Sequence, residues 1–228
     1  MKVFSSWSGG KESALATHRA ISQGYRVSHL VNFISEDGKR SRSHGISARM
    51  LRLQARAVGI PLVQVRTSWD DYERRFGEVV MKLKEEGVDG GVFGDMDLEE
   101  HREWIERPCG KLDLKAVLPL WGIAPRSLLE EFLALGFRAK VVATRLDEAL
   151  LGRELDDGLI KEIQRFGCHL CGESGEYHTF VTGGPIFQWA LDVVPGKREK
   201  RDGVWFLDIV PRPGGDRRPA AAAKKEAR

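Results

Sequence analysis

Cysteine is scarce in this chain, with three among 228 residues. An odd and small number in a chain this long excludes a disulfide framework and points to a reducing compartment. Long apolar runs are missing as well. No stretch approaches the length of a membrane span, and no apolar signal core follows Met1-Lys2, so a cytoplasmic location and no membrane partner are expected. Strong charge of either sign is also absent. The formal net charge is +3, but residues 212–228 hold six Lys/Arg against two Asp/Glu, which leaves 30 basic and 31 acidic groups in the rest of the chain. A near-neutral body lacks the electrostatic footprint of a nucleic-acid-binding protein. The basic character sits in a Pro-, Gly- and Ala-rich tail, expected to be disordered over 212–228.

What is present begins at the apolar run Val3–Trp7, followed by Ser8-Gly9-Gly10-Lys11-Glu12-Ser13 and then Ala14–Ala20. This order reads as strand, glycine turn and helix start. Adjacent glycines let the backbone turn sharply and approach a ligand, and the free N–H groups of a helix start face whatever lies in front of them. With the Lys11 charge and the Ser8 and Ser13 hydroxyls added, the site suits a phosphate or pyrophosphate. A Walker loop and a dinucleotide fingerprint both require spacings that are not present.

Strand and helix patterns then alternate. Strands are predicted at 26–33, 62–66, 88–93 and 116–120, and helices at 46–58, at 70–86 and from Leu98 onward. This is the rhythm of a doubly wound parallel sheet of Rossmann-like type, in which ligands bind beyond the carboxyl ends of the strands. The inspection points are therefore the phosphate loop, the basic loop ending in His44, Gly94-Asp95 and Trp121. After about 137 the pattern changes to short strands at 139–143, 171–182, 187–193 and 204–209, a smaller α+β domain. Domains are expected at 1–140 and 141–211, with the tail at 212–228.

A second constellation is Cys171-Gly172-Glu173-Ser174-Gly175-Glu176-Tyr177-His178-Thr179, which sets two carboxylates, a phenol and an imidazole around two glycines. Taken alone it is equally a turn between strands. Cys168-His169-Leu170-Cys171 is the one Cys-x-x-Cys pair, and without a second pair or a matching histidine pair no metal site is expected there.

The loop Ser8–Ser13 resembles the SGGxDS pyrophosphate loop of the adenine nucleotide alpha-hydrolase superfamily, with Glu12 in the place of Asp. Together with Gly94-Asp95, Glu100–Arg107, Pro119-Leu120-Trp121 and Glu173–Thr179, it resembles the diphthine–ammonia ligase-like family over about residues 1–190. The resemblance implies an ATP-dependent amide ligase that adenylates a carboxylate, releases pyrophosphate and transfers ammonia to the acyl group. It implies ATP and Mg²⁺ as cofactors, and ammonium and a carboxylate substrate as partners, with a homodimer as a further expectation.

By the same resemblance Ser8, Gly9, Gly10, Lys11, Glu12, Ser13, His44, Gly94 and Asp95 hold the nucleotide. Lys11, Glu106, Glu173 and Glu176 act in catalysis, with Glu173 and Glu176 orienting and deprotonating ammonium, and Trp121, Tyr177 and His178 face the acceptor. Ser174 and His178 replace the glycine and second glutamate of the diphthine ligases, and match more closely a sister group associated with cobalamin salvage. The acceptor expected on that ground is a corrinoid acid rather than diphthine on elongation factor 2. Two other classes compete: a non-catalytic nucleotide sensor, which would lack the glycine loop, and an adenylating RNA-modification enzyme, which would want a basic body.

Overall fold

The computed structural model describes residues 1–42 and 44–213, so the expected tail lies outside the described residues from 214 onward. Five parallel strands form the first sheet: β1 (Lys2–Ser6), β2 (Arg26–Ile34), β3 (Leu62–Arg66), β4 (Gly90–Val92) and β5 (Lys115–Val117), in the order β3-β2-β1-β4-β5. Helices α1 (Lys11–Ser22), α2 (Ala48–Val58), α3 (Tyr72–Glu85) and α4 (Glu99–Lys111) make the crossovers, and α5 (Pro125–Ala134) follows β5. The strand order reverses direction at β1, the switch point at which such sheets bind ligands.

Local chemistry explains the element boundaries. Ser47 caps α2 by accepting the Met50 N–H at 3.2 Å, and Gly59, at φ 80°, ends it in the left-handed conformation. Helix α3 starts two residues later than its apolar pattern suggests. The Asp71 carboxylate accepts from Thr67 Oγ1 at 2.6 Å and from the Ser68 N–H at 2.8 Å, so Ser68–Asp71 forms a turn that leaves Asp70 and Asp71 outside the helix. The same bonds, Thr67 first, hold the Asp71 carboxyl below the usual carboxylate range.

The second sheet is antiparallel, in the order β7-β6-β9-β8, from β6 (Arg138–Thr144), β7 (Tyr177–Gly183), β8 (Val193–Arg201) and β9 (Val204–Pro211). Strand β6 runs through position 140, pairs with β7 and β9, and bridges to Glu154 through Lys140. A short turn of 3-10 helix at Glu148–Leu150 and helix α6 (Asp157–Arg165) separate β6 from β7. The strand expected over 187–193 does not form. Gly183-Gly184-Pro185 turns the chain, Phe187 N–H closes back on the Gly184 carbonyl at 3.0 Å, and β8 begins only at Val193. Proline contributes no N–H there, and Gly184 at φ 152° takes a conformation outside the strand region.

One apolar core runs through both sheets and joins Val3, Leu30 and Leu51 to Phe137, Val141 and Phe180. The seam between the sheets lies at the glycine turn Ser8–Ser13. The Val181 N–H donates to the Gly9 carbonyl at 2.9 Å. The fully buried Gln54 amide donates to the carbonyls of Gly9 (3.0 Å) and Val181 (2.7 Å) while its oxygen accepts from Trp7 Nε1 (2.8 Å). Buried amides satisfied on every side fix their neighbours in one arrangement, so the second sheet holds the loop in place.

Candidate active site

The two loop glycines are required for different reasons. Gly9 sits at φ 84°, and a Cβ there would fall 2.6 Å from Leu51 Cδ2. At Gly10 a Cβ would fall 2.5 Å from His44 Cε1 and 3.2 Å from the Thr179 carbonyl. Ser8 Oγ accepts the Gly10 N–H at 3.2 Å and donates to Ser13 Oγ at 3.1 Å, which ties the turn to the first turn of α1. The Lys11 N–H donates to Thr179 Oγ1 of β7 at 3.1 Å. The Lys11 side chain is buried, with Nζ 2.5 Å from Glu12 Oε1, donating to the Cys171 carbonyl at 2.7 Å and 4.3 Å above the Tyr177 ring. Burial disfavours its charge, and the charge and hydrogen bond of Glu12, with Tyr177 and Cys171 adding to them, together outweigh that cost, so Lys11 is held above the usual lysine range and stays cationic.

A cleft of about 680 Å³ opens above this loop at the carboxyl end of the first sheet. Its inner wall comes from Val31, Asn32, Phe33, Phe93 and Gly94, and its opposite wall from Cys171, Gly172, Glu173, Tyr177 and His178. Gly94 lets the loop after β4 touch the start of α1, since a Cβ there would lie 3.0 Å from the Glu12 carbonyl carbon. Asn32 is buried and donates to the Trp7 carbonyl at 2.8 Å, while its own Oδ1 has no partner among the described residues. Trp69, Tyr72 and Trp104 form the mouth, with Trp69 67% exposed. The Arg42 guanidinium lies 4.5 Å over the Trp69 ring.

Acid and imidazole groups crowd the inner end. Donor atoms of Asp95, His101 and Glu173 all lie within 4.8 Å of one another. His101 Nδ1 is 3.2 Å from Asp95 Oδ1, and that hydrogen bond raises the histidine's pKa. Burial, and next the charges of Glu12 and Asp95, push the Glu173 carboxyl up to about 8, with Lys11 pulling the other way. His44 and His178 stack with ring centres 4.4 Å apart. Burial lowers both; for His178, to about 4, Lys11 and Arg145 add to it, and for His44 the neighbouring His178 and Lys11 do.

Ten residues singled out in the sequence therefore line the cleft: Ser8, Lys11, Glu12, Ser13, His44, Gly94, Asp95, Glu173, Tyr177 and His178. Gly9 and Gly10 shape the turn beneath them. Three others do not line it. Glu106 pairs with Arg102 at 2.8 Å on the exposed side of α4. Trp121, after β5, carries the Arg102 guanidinium at 5.2 Å from its ring centre. Glu176 accepts the His169 N–H at 3.1 Å, and its second oxygen is buried without a partner among the described residues. Asn32, Arg42, Trp69, Tyr72 and Trp104 line the cleft without having been marked as site residues. The Cys168 and Cys171 thiols face the backbone carbonyls of Ile163 (3.9 Å) and Pro125 (3.5 Å), and burial pushes Cys171 up to about 12.

A parallel sheet with a glycine turn at its switch point, packed against an antiparallel sheet that holds the turn, defines a Rossmann-like α/β protein with a cleft above that turn. Within that class, the chain belongs to the diphthamide synthase family: residues 1–116 match the diphthamide synthase N-terminal domain and 124–210 the C-terminal domain. It is 27% identical over 216 residues to the diphthine–ammonia ligase of Rattus norvegicus, across 82% of this chain and 81% of that protein. The Homo sapiens diphthine–ammonia ligase matches with the same identity and coverage. That of Schizosaccharomyces pombe is 28% identical over 213 residues, which make up 35% of its length. A crystal structure from Methanocaldococcus jannaschii, described as a "predicted subunit of tRNA methyltransferase", superposes with a TM-score of 0.44 at 15% identity, over 84% of this chain and 100% of that one.

Proposed function

We propose that this protein is an ATP-dependent carboxylate–ammonia ligase. The observation that carries the reading is the meeting of a buried, cationic Lys11 under the glycine turn with Glu173, a carboxyl group raised to about 8, in one cleft. The family membership and the names of the relatives support the reaction class.

In this reading the Ser8–Ser13 turn holds the β and γ phosphates, and Lys11 balances the charge that grows on pyrophosphate as it leaves. The substrate carboxylate oxygen attacks the α phosphorus, the α–β bridging bond breaks, and an acyl adenylate and pyrophosphate result. Ammonium next gives a proton to Glu173, whose pKa near neutrality suits it to accept one. The ammonia lone pair adds to the acyl carbon, the nitrogen releases a second proton to water, the bond to AMP oxygen breaks, and amide and AMP leave. Asn32 Oδ1 offers an acceptor inside the cleft for a nucleobase or ribose donor. Mg²⁺ fits this donor set, because the Asp95 and Glu12 carboxylates both line the cleft beside the glycine turn, and a hard cation takes such oxygens. Asp95 and Glu12 would hold it, and it would supply charge neutralisation for the phosphates. The location proposed is the cytoplasm.

For the acceptor, a corrinoid-type acid is preferred. His178 is held neutral and gives a trimethylammonium group no counter-charge, and Arg42 at the mouth favours an anion. Diphthine is the second reading, supported by the relatives' names and by the exposed Trp69 and Trp104 rings, since indole faces attract quaternary ammonium. A competition experiment with ATP and ammonium chloride decides, offering diphthine-bearing elongation factor 2 against a panel of corrinoid acids. Amidation of a corrinoid acid is expected. Diphthamide formation with no small acid turned over selects the second reading, and amide formation from neither refutes the ligase.

A further inference from the structure

His169 sits between α6 and β7, and its ring is the centre of the turn that carries Glu173. The backbone N–H groups of Cys171 and Glu173 both point at His169 Nδ1, at 3.2 and 3.3 Å. Two donors on one ring nitrogen require a lone pair there, which places the ring proton on Nε2. That nitrogen lies 2.9 Å from Asp97 Oδ2, so it donates to the carboxylate. The main chain of the same residue closes the turn, its N–H donating to Glu176 Oε1 at 3.1 Å and its carbonyl accepting the Gly172 N–H at 2.9 Å. Asp97 stands two residues beyond Asp95 in the segment between β4 and α4. One imidazole thus joins the segment that presents Asp95 from the first sheet to the turn that presents Glu173 ahead of the second. With Nδ1 engaged by two amides and Nε2 by a carboxylate, the ring has no lone pair left for a metal, and the Cys168–Cys171 segment serves as a turn instead.

We propose that His169 is a positioning residue for ammonia transfer: its Nδ1 fixes the Glu173 turn and its Nε2–H locks that turn to Asp97, two residues beyond Asp95. The proposal rests on the reading of Glu173 as the ammonium base. It also explains where Glu176 acts, since that carboxylate fastens the His169 main chain rather than entering the cleft. A reacting group displaced by about 1 Å loses on the order of 100-fold in rate, so a hinge this close to the base is felt in turnover.

Two substitutions separate the ring's two halves. His169→Asn places an amide oxygen near the position of Nδ1 and gives up the reach to Asp97. His169→Gln places an amide nitrogen near Nε2 and gives up the acceptor for the two N–H groups. Each is compared with the parent by AMP production from ATP, Mg²⁺ and ammonium chloride with the acceptor that the competition identifies. Backbone hydrogen exchange at Cys171 and Glu173 is followed in parallel, with thermal unfolding as the folding control. In His169→Gln the expected result is a roughly 10- to 100-fold loss of kcat with the KM for ATP within about twofold, and exchange at both amides about tenfold faster. His169→Asn should recover most of the protection and a large part of kcat. Equal behaviour of the two variants, or unchanged exchange in His169→Gln, overturns the proposal. If Glu173→Gln keeps full turnover while His169→Gln still frees the two amides, the positioning stands and the assignment of Glu173 as base has failed.

Discussion

Replacing Glu173 by Gln should stabilise the ligand-free protein at neutral pH while it removes activity. The structure holds this carboxyl at about 8, against an ordinary 4.5, chiefly by burial and then by Glu12 and Asp95. A carboxyl raised in the folded state contributes stability that is complete below pH 4.5 and is lost as pH rises through 8. At 1.36 kcal/mol per pH unit the loss by pH 7 is about 3 kcal/mol, and partial access of water to the cleft reduces it to roughly 1–3 kcal/mol. Glutamine has nearly the same shape and never ionises, so Glu173→Gln recovers that amount at pH 7 and nothing at pH 4.5. Urea unfolding of both proteins, with a chelator and without ATP, at several pH values from 4.5 to 8 measures it. The parent should weaken steadily over that range while the variant stays nearly level, and the variant's amide formation should fall by about 10² to 10⁴. Parallel pH profiles for the two proteins would refute the assignment of a raised pKa, and with it the reason for choosing this residue as the base.

Lys11→Ala should lower AMP production by at least about 100-fold, because the cation opposite the departing pyrophosphate is gone. It should also lower stability by leaving Glu12 beside the cleft without its partner, whereas Ser13→Ala should cost less in both respects; turnover and urea unfolding measure the two effects, and unchanged turnover in both variants would show that the loop does not hold pyrophosphate. Purified protein should carry well under one zinc per chain by elemental analysis, since the Cys168 and Cys171 thiols face backbone carbonyls and the ring nitrogens of His169 are engaged. Near-stoichiometric zinc lost on mutating both cysteines would reverse that expectation.

Much of this architecture was legible because local signals and global fold agree. The run Leu62–Arg66 forms a strand with the bounds its apolar pattern suggests, and Gly9-Gly10 is a glycine turn for reasons that a Cβ makes plain. The cleft's inner wall was only partly legible. Glu173 and Glu176 look equivalent in the sequence, yet the turn around His169 sends one into the cleft and the other beneath its own loop. No periodicity reports such a turn, because it depends on a side chain accepting from backbone groups. The aromatic mouth was illegible for a different reason. Trp69 and Tyr72 precede and open α3 while Trp104 comes from α4, and no local pattern reports that they meet at one mouth. At 187–193 the spacing of short segments suggests a strand, and Gly184-Pro185 overrides it.

The central claim is that a carboxylate oxygen becomes bonded to the α phosphorus of ATP, and an isotope can follow that oxygen. The acceptor that the competition identifies is prepared with ¹⁸O in its carboxylate and incubated with the protein, ATP, Mg²⁺ and ammonium chloride, and the nucleotide product is weighed by mass spectrometry. AMP carrying one ¹⁸O for each amide formed, with unlabelled pyrophosphate, is the expected result. ADP together with ¹⁸O-labelled phosphate would mean attack at the γ phosphorus, and unlabelled AMP would mean that the acyl group never bonded to the nucleotide; either result contradicts the account.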